Sequence, residues 1–246
     1  MEIYQKISIL ILCLFIFYES THAIDKKVII ATSEYIPYYG EKMKNRGFIT
    51  EVVIEAFRRG GYKAQIDFYP WKRSLITTKN GNNDAIYTIW KNRERGKWFL
   101  FSTPLLANKL VFYKKKNRNI ILSGYKDLGN HKIGIVRGYK YPDISNKIET
   151  FHKIEAVDDY KNLFNLSRDL IDIIIIDKIQ AKYIIKEHSF SNKFIPASPV
   201  LETVNQYLAV SKKAENAFLK LNAFNKGLKT MRKDGTFKKI KKLHGF

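Results

Sequence analysis

The chain has 246 residues, with 44 Lys and Arg against 23 Asp and Glu and a formal net charge of +21 at pH 7. Its one cysteine, Cys13, excludes a framework of internal disulfides, so stability has to come from a packed core. The charge alone would suit nucleic acid, but the lysines are spread over nearly every segment and no nucleic-acid motif accompanies them, which points to a solvated surface attractive to acidic solutes or anionic lipid.

Residues 1–23 have the pattern of a secretory signal: Lys6, an apolar core from Ile7 to Tyr18, and small residues at Thr21 and Ala23, with cleavage expected after Ala23. That core is shorter than the roughly 20 residues of a membrane span. No later segment is apolar and long enough to serve, so the mature chain is expected to be soluble and exported. A lipid anchor at Cys13 would lack both a sufficient core before it and the small residue that should precede it. About 220 residues remain, enough for one large domain or two lobes.

Residues 28–31 form an apolar run suited to a buried parallel strand, followed by a polar loop with Tyr35, Pro37, Tyr38 and Tyr39. Thr50 is placed to cap a helix with the apolar stripe Val53, Ala56 and Phe57, ended by Gly60 and Gly61. Residues 64–68 alternate as a second strand, and Pro70 and Trp71 open a helix with Arg73 and Leu75. Residues 85–89 are a third apolar run, emptying into a loop with Lys91, Arg93, Arg95 and Lys97 beside Trp90, before Phe101, Ser102, Thr103 and Pro104. A strand that leads into a cationic, Trp-flanked loop can hold an anion; a solvated basic turn is the plainer alternative.

Residues 110–113 form another short strand, and residues 114–117 a connector. Strands are expected at 132–136, ending on Arg137 and Gly138, and at 154–157, with Asp158 or Asp159 capping a helix that buries Leu163 and Leu166. Residues 172–177, four isoleucines between two aspartates, have the pattern of a fully buried parallel strand with Asp177 at its carboxyl end. A helix through Ile179, Tyr183 and Ile184 follows, then a strand at 207–210 and a long helix with Ala217, Leu221, Phe224, Leu228 and Met231, ended at Gly235. Lys238, Lys239, Lys241 and Lys242 near the C-terminus suit either a solvated helix face or contact with a membrane surface.

Strands alternating with helices imply α/β architecture with mostly parallel sheets flanked by helices. Two such series with a late strand and helix imply two lobes and two crossings between them. Ligands of such sheets sit beyond the carboxyl ends of the strands. Tyr35, Trp71, Tyr87 to Trp90, Arg137 to Tyr139 and Asp177 all follow strands and are expected to converge on one cleft.

The ordered set Glu34-Tyr-Ile-Pro-Tyr38, Trp71-Lys-Arg-Ser-Leu75, Asp84-Ala85, Arg93-Glu-Arg95, Phe101-Ser-Thr-Pro104, Lys132-Ile-Gly-Ile-Val-Arg-Gly138, residues 172–177, Tyr207-Leu-Ala-Val-Ser-Lys212 and Asp234-Gly-Thr236 resembles the extracellular solute-binding proteins of family 3. The resemblance implies the type II periplasmic binding protein fold, two lobes joined by a two-strand hinge: residues 24–113 with 206–246 as one lobe and 114–205 as the other. It implies a periplasmic monomer that captures an amino acid or organic acid and delivers it to an ABC permease of the inner membrane, with no nucleic acid, metal, cofactor or catalysis. By the same resemblance Arg95 grips a carboxylate, Tyr35 covers the ligand, Tyr87, Thr88 and Trp90 supply backbone and hydroxyl partners, and Asp177 accepts an ammonium. Trp71, Arg73, Arg137, Gly138 and Tyr139 complete the implied ligand set. The chain departs from the pattern after the glycine of the second-lobe turn, where Tyr139 and Lys140 stand in place of the usual Ser or Thr. Two other functions share the fold: a sensory or interaction module, and a dehydratase for which Asp177, Glu34 and His131 or His152 are the loose acid and base candidates.

Overall fold

The computed structural model describes residues 26–123, 125–141, 151–188 and 190–246. The expected signal segment and Cys13 lie outside the described residues. Ten strands follow the chain as β1 (Lys27–Thr32), β2 (Lys63–Phe68), β3 (Ala85–Trp90), β4 (Phe99–Phe101), β5 (Leu106–Lys115), β6 (Lys132–Val136), β7 (His152–Ala156), β8 (Ile173–Asp177), β9 (Phe194–Pro196) and β10 (Glu202–Ser211). The helices are α1 (Phe48–Arg59), α2 (Trp71–Asn80), α3 (Asp159–Ser167), α4 (Lys178–Glu187), α5 (Ala217–Lys233) and α6 (Thr236–Leu243).

The strands run in the order β2-β1-β3-β10-β5-β8-β6-β7, with β4 beside β10 and β9 beside β5. At either end the sheet is parallel: β1 with β2 and β3, and β6 with β7 and β8. The two central strands are antiparallel to all their neighbours. They explain the two-lobed shape. At about 3.3 Å per residue, ten residues reach about 33 Å, long enough for one strand to serve both lobes. Residues 202–206 of β10 pair with residues 106–110 of β5. Beyond that shared stretch β10 joins β3 and β4, while β5 joins β8 and β9. The sequence patterns at 110–113 and 207–210 mark only parts of these two strands, and residues 114 and 115, expected as connector, continue β5.

In the first lobe α1 and α5 cover one face of the sheet, burying Val52, Val53, Ala56 and Phe57 against Phe224, Leu228 and Met231. Thr50 does not cap α1. The helix begins two residues earlier behind Gly47, and Thr50, fully buried, hydrogen-bonds through its hydroxyl to the phenol of Tyr87 at 2.8 Å. Asp84 binds the lobe together: its carboxylate accepts from the backbone N–H of Ile29 at 2.8 Å and from the Lys220 ammonium of α5 at 2.6 Å. In the second lobe the isoleucines of β8 are buried on both faces, and Asp158 caps α3 by accepting from the Lys161 N–H at 2.7 Å. After Gly235 the chain resumes as α6, whose Ile240 is buried while its lysines face outward. No helix among the described residues is long and apolar enough to cross a membrane.

Candidate functional site

The loop after β3 sets the site. Asn92 accepts from the backbone N–H of Arg95 at 2.8 Å, which turns the Arg95 side chain inward. There it is only 2% exposed. One terminal nitrogen donates to the carbonyl of Trp90 at 2.8 Å and the other to the carbonyl of Gly138, from the second lobe, at 3.1 Å. The guanidinium carbon lies 5.9 Å from the centre of the Trp71 ring. Arg95 forms no ion pair among the described residues; Glu94, next to it, faces out to Lys140 at 3.4 Å. Burial lowers the Arg95 guanidinium to about 10, which leaves it charged at neutral pH. A guanidinium has five N–H donors, so two carbonyls leave it capacity to receive a carboxylate as a parallel pair of hydrogen bonds.

A β-bulge opens the wall opposite. In the ladder with β10, Tyr207 pairs with Ile89 and Leu208 with Tyr87, so Thr88 is passed over. Its φ of +58° places it in the left-handed region, and its hydroxyl contacts that of Tyr39 beside the cavity. Bulges of this kind re-aim a side chain next to functional sites. Trp71 donates through its indole N–H to the Gly138 carbonyl at 3.3 Å. Gly138 has a φ of +86°, a conformation that suits glycine. The turn it makes delivers Tyr139 edge-on between Trp71, 5.6 Å away centre to centre, and Trp90, 5.3 Å away. Tyr35 closes the floor, accepting at its hydroxyl from Asn108 at 3.0 Å and from Gln206 at 3.5 Å. Gln206 is 2% exposed and its side-chain oxygen has no hydrogen-bond partner among the described residues. The cavity enclosed by these groups holds about 10 Å³, roughly the 10–15 Å³ that one water needs.

Of the residues named from sequence, Tyr35, Trp71, Thr88, Trp90, Arg95 and Tyr139 line this cavity, and Gly138 meets Arg95 through its carbonyl. Four do not. Tyr87 points to the opposite face of β3, into the first-lobe core. Arg73 lies on the outer face of α2 with its guanidinium 4.7 Å from the Tyr69 ring. Arg137 faces outward to Glu155 at 3.1 Å. Asp177 caps α4, accepting from the backbone N–H groups of Ile179 at 3.0 Å and Gln180 at 2.9 Å, and also accepts from the Tyr38 hydroxyl of the first lobe at 2.9 Å. Its carboxylate is thus committed to a helix and to a contact across the lobes, apart from the Arg95 cavity.

Sequence reading missed Ser33, Tyr39 and Gln206 at the cavity, and a neighbouring chamber of about 340 Å³ between the lobes. Asp159 and Gln180 line that chamber from the first turns of α3 and α4. The Asp158-Asp159 pair was visible only as a capping signal: Asp158 caps, and Asp159 is left facing the chamber. Burial, then repulsion from Asp158 and Asp177, holds the Asp159 carboxyl well above its usual range. The unfolded chain protonates this group near 3.9. Its favourable contribution is complete below that value and is lost as pH rises through the raised folded-state value. The other titratable groups around it are Glu34 and Glu41 across the chamber and the phenols of Tyr139 and Tyr141, with no cation among the described chamber residues. Asp159→Asn is therefore expected to lose less thermal stability than the wild-type protein as pH rises above about 4. Equal losses in melting experiments would contradict this.

Comparison with known proteins agrees with the geometry. The model of the bacterial extracellular solute-binding proteins, family 3, matches residues 28–245. The chain is 22% identical to the L-cystine-binding protein TcyJ of Escherichia coli (strain K12) over 205 residues, 82% of this chain and 75% of that protein. Among solved structures, a mutant of the arginine-binding protein ArgBP from T. maritima superposes with a TM-score of 0.74 at 19% identity, covering 87% of this chain and 93% of that one. A histidine kinase sensor domain with similarity to periplasmic binding proteins gives a TM-score of 0.78 at 18% identity, covering 89% and 96%. These structures share the two-lobed fold. The chain belongs to the bacterial extracellular solute-binding proteins, family 3.

Proposed function

We propose that the protein is an exported, periplasmic solute-binding protein that holds a small carboxylate-bearing solute, an amino acid or related acid, at Arg95 and presents it to an ABC permease. The observation that carries this reading is the Arg95 guanidinium: buried, charged, without an acidic partner among the described residues, and facing a cavity walled by both lobes. Burying a charge costs several kcal/mol unless it is paired, and a carboxylate from outside the chain supplies the pair. The division of the chain at 24–113 with 206–246 and 114–205 agrees with the strand pairing, since β5 and β10 change neighbours near residues 110 and 206. Closure follows because the solute touches both lobes only when they meet, so it favours the closed state by its differential contacts.

Mass spectrometry of small molecules released by denaturing the native protein tests this. A carboxylate-bearing solute close to one per chain is the expected result. No release, together with no thermal shift from amino acids or organic acids, would overturn it. That second outcome favours a sensory or interaction module, the reading supported by how small the cavity is.

A further inference from the structure

The chamber of about 340 Å³ shares Ser33, Trp71 and Tyr139 with the Arg95 cavity, so the Tyr139 side chain borders both. Its volume is in the range of small-molecule sites, about 300–1,000 Å³. Its polar character is one-sided. Glu34 and Glu41 face it from the first lobe and Asp158 and Asp159 from the second, and no Lys or Arg among the described residues lines it, in a chain where basic residues outnumber acidic ones 44 to 23. Among the described residues, Glu34 accepts only from the Glu41 backbone N–H, at 3.0 Å, and Asp158 only from the Lys161 N–H. Asp159, 4% exposed, has neither a hydrogen bond nor an ion pair among the described residues.

A second observation is independent of the carboxylates. Gln180, 5% exposed, lines the same chamber, and its side-chain oxygen has no hydrogen-bond partner among the described residues. A buried acceptor left unpaired costs about 1–3 kcal/mol. The chamber therefore offers acceptors from two lobes, and the rings of Trp71 and Tyr139 beside them can take an alkyl stem and a cation over their faces. The complement is a group that carries positive charge and several N–H donors.

We propose that this chamber receives an ammonium or guanidinium at the far end of the solute whose carboxylate meets Arg95, so that the protein selects basic amino-acid-type molecules, lying around the ring of Tyr139. The inference rests on the carboxylate reading above. Asp159 and Gln180 set the preference for charge, Arg95 sets the requirement for a carboxylate, and Tyr139 has to swing aside for one molecule to occupy both spaces.

Titration calorimetry on the ligand-stripped protein with L-lysine, its uncharged analogue L-norleucine, L-arginine and its neutral isostere L-citrulline separates the two ideas. Wild-type protein is expected to prefer each basic member of a pair at least tenfold. Asp159→Asn and Gln180→Met, each checked for a native near-ultraviolet spectrum and a cooperative melt, are expected to cut that preference at least threefold. Arg95→Ala should weaken all four by a similar factor and leave the preference in place. Equal binding of lysine and norleucine that still depends on Arg95 overturns the basic-solute inference and retains the carboxylate reading. A preference unchanged in both chamber variants also overturns the inference. No binding by any of the four overturns both.

Discussion

Arg95→Ala is expected to weaken solute binding by about 2–5 kcal/mol, the range for truncating one partner of a buried charged pair. That corresponds to a rise in dissociation constant of roughly 30-fold to several thousandfold. The same substitution is not expected to lower the thermal stability of the ligand-free protein. In the folded chain the guanidinium is almost fully buried, meets two carbonyls and no acid, and is held below its usual basicity by that burial. Removing it takes away a desolvation cost. Affinity and stability should thus move in opposite directions, which a residue holding the fold together would not do. Arg95→Lys is expected to lie between, because an ammonium keeps the charge and loses the planar pair of donors. Calorimetry and melting curves on the same samples check both halves of the expectation. A fall in melting temperature with unchanged affinity would assign Arg95 to folding.

Gly227→Ala is expected to destabilise the protein by about 3 kcal/mol, at the upper end of the usual cost of overpacking. Gly227 sits in the middle of α5 where that helix crosses α1. A Cβ built there would lie 1.9 Å from the backbone oxygen of Ala56 and 2.7 Å from its carbonyl carbon. Neither atom can rotate away, so α1 and α5 would have to separate, opening the layer where Phe57 packs 5.2 Å from Phe224. On an exposed helix the same change would gain about 1 kcal/mol from helix propensity, so even the sign is diagnostic. A melting temperature about 6–12 °C below wild type is expected for a chain of this size. No decrease would mean the two helices are less closely seated than the crossing implies.

The β3 region shows what was and was not legible in the sequence. Its apolar run announced a strand, and the cationic loop after it announced an anion site; Arg95 does face a cavity between the lobes. Every residue of β3 is buried, so alternation could not say which side chains face the core. Tyr87 and Thr88, adjacent on the strand, face opposite sides, Tyr87 to Thr50 and Thr88, at the bulge, to the cavity. Asp177 was legible as the carboxyl end of a buried strand and, by resemblance, as an ammonium partner. The geometry displays a helix cap and a hydrogen bond from Tyr38.

Gln206 and Gln180 gave no local signal and Asp159 only that of a helix cap, because what distinguishes them arises from convergence. Gln206 is one polar residue of a long central strand, and Asp159 and Gln180 begin helices far apart in sequence. The order of elements and the two lobes were clear from the alternation of strands and helices, and the resemblance named the fold. The length of β5 and β10 was not clear, since the stretch where they pair with each other, residues 106–110 with 202–206, mixes polar and apolar residues without a strong pattern.

The central claim, that Arg95 holds a carboxylate of the solute, is tested most directly by a cycle of two changes, one on each side of the contact. Titrate wild-type protein and Arg95→Ala with the amino acid that binds best and with its carboxamide, which lacks the negative charge. Wild type should lose most of its affinity on going from acid to amide, whereas Arg95→Ala should bind both almost equally. If the wild-type protein binds the amide as tightly as the acid, Arg95 does not hold the carboxylate.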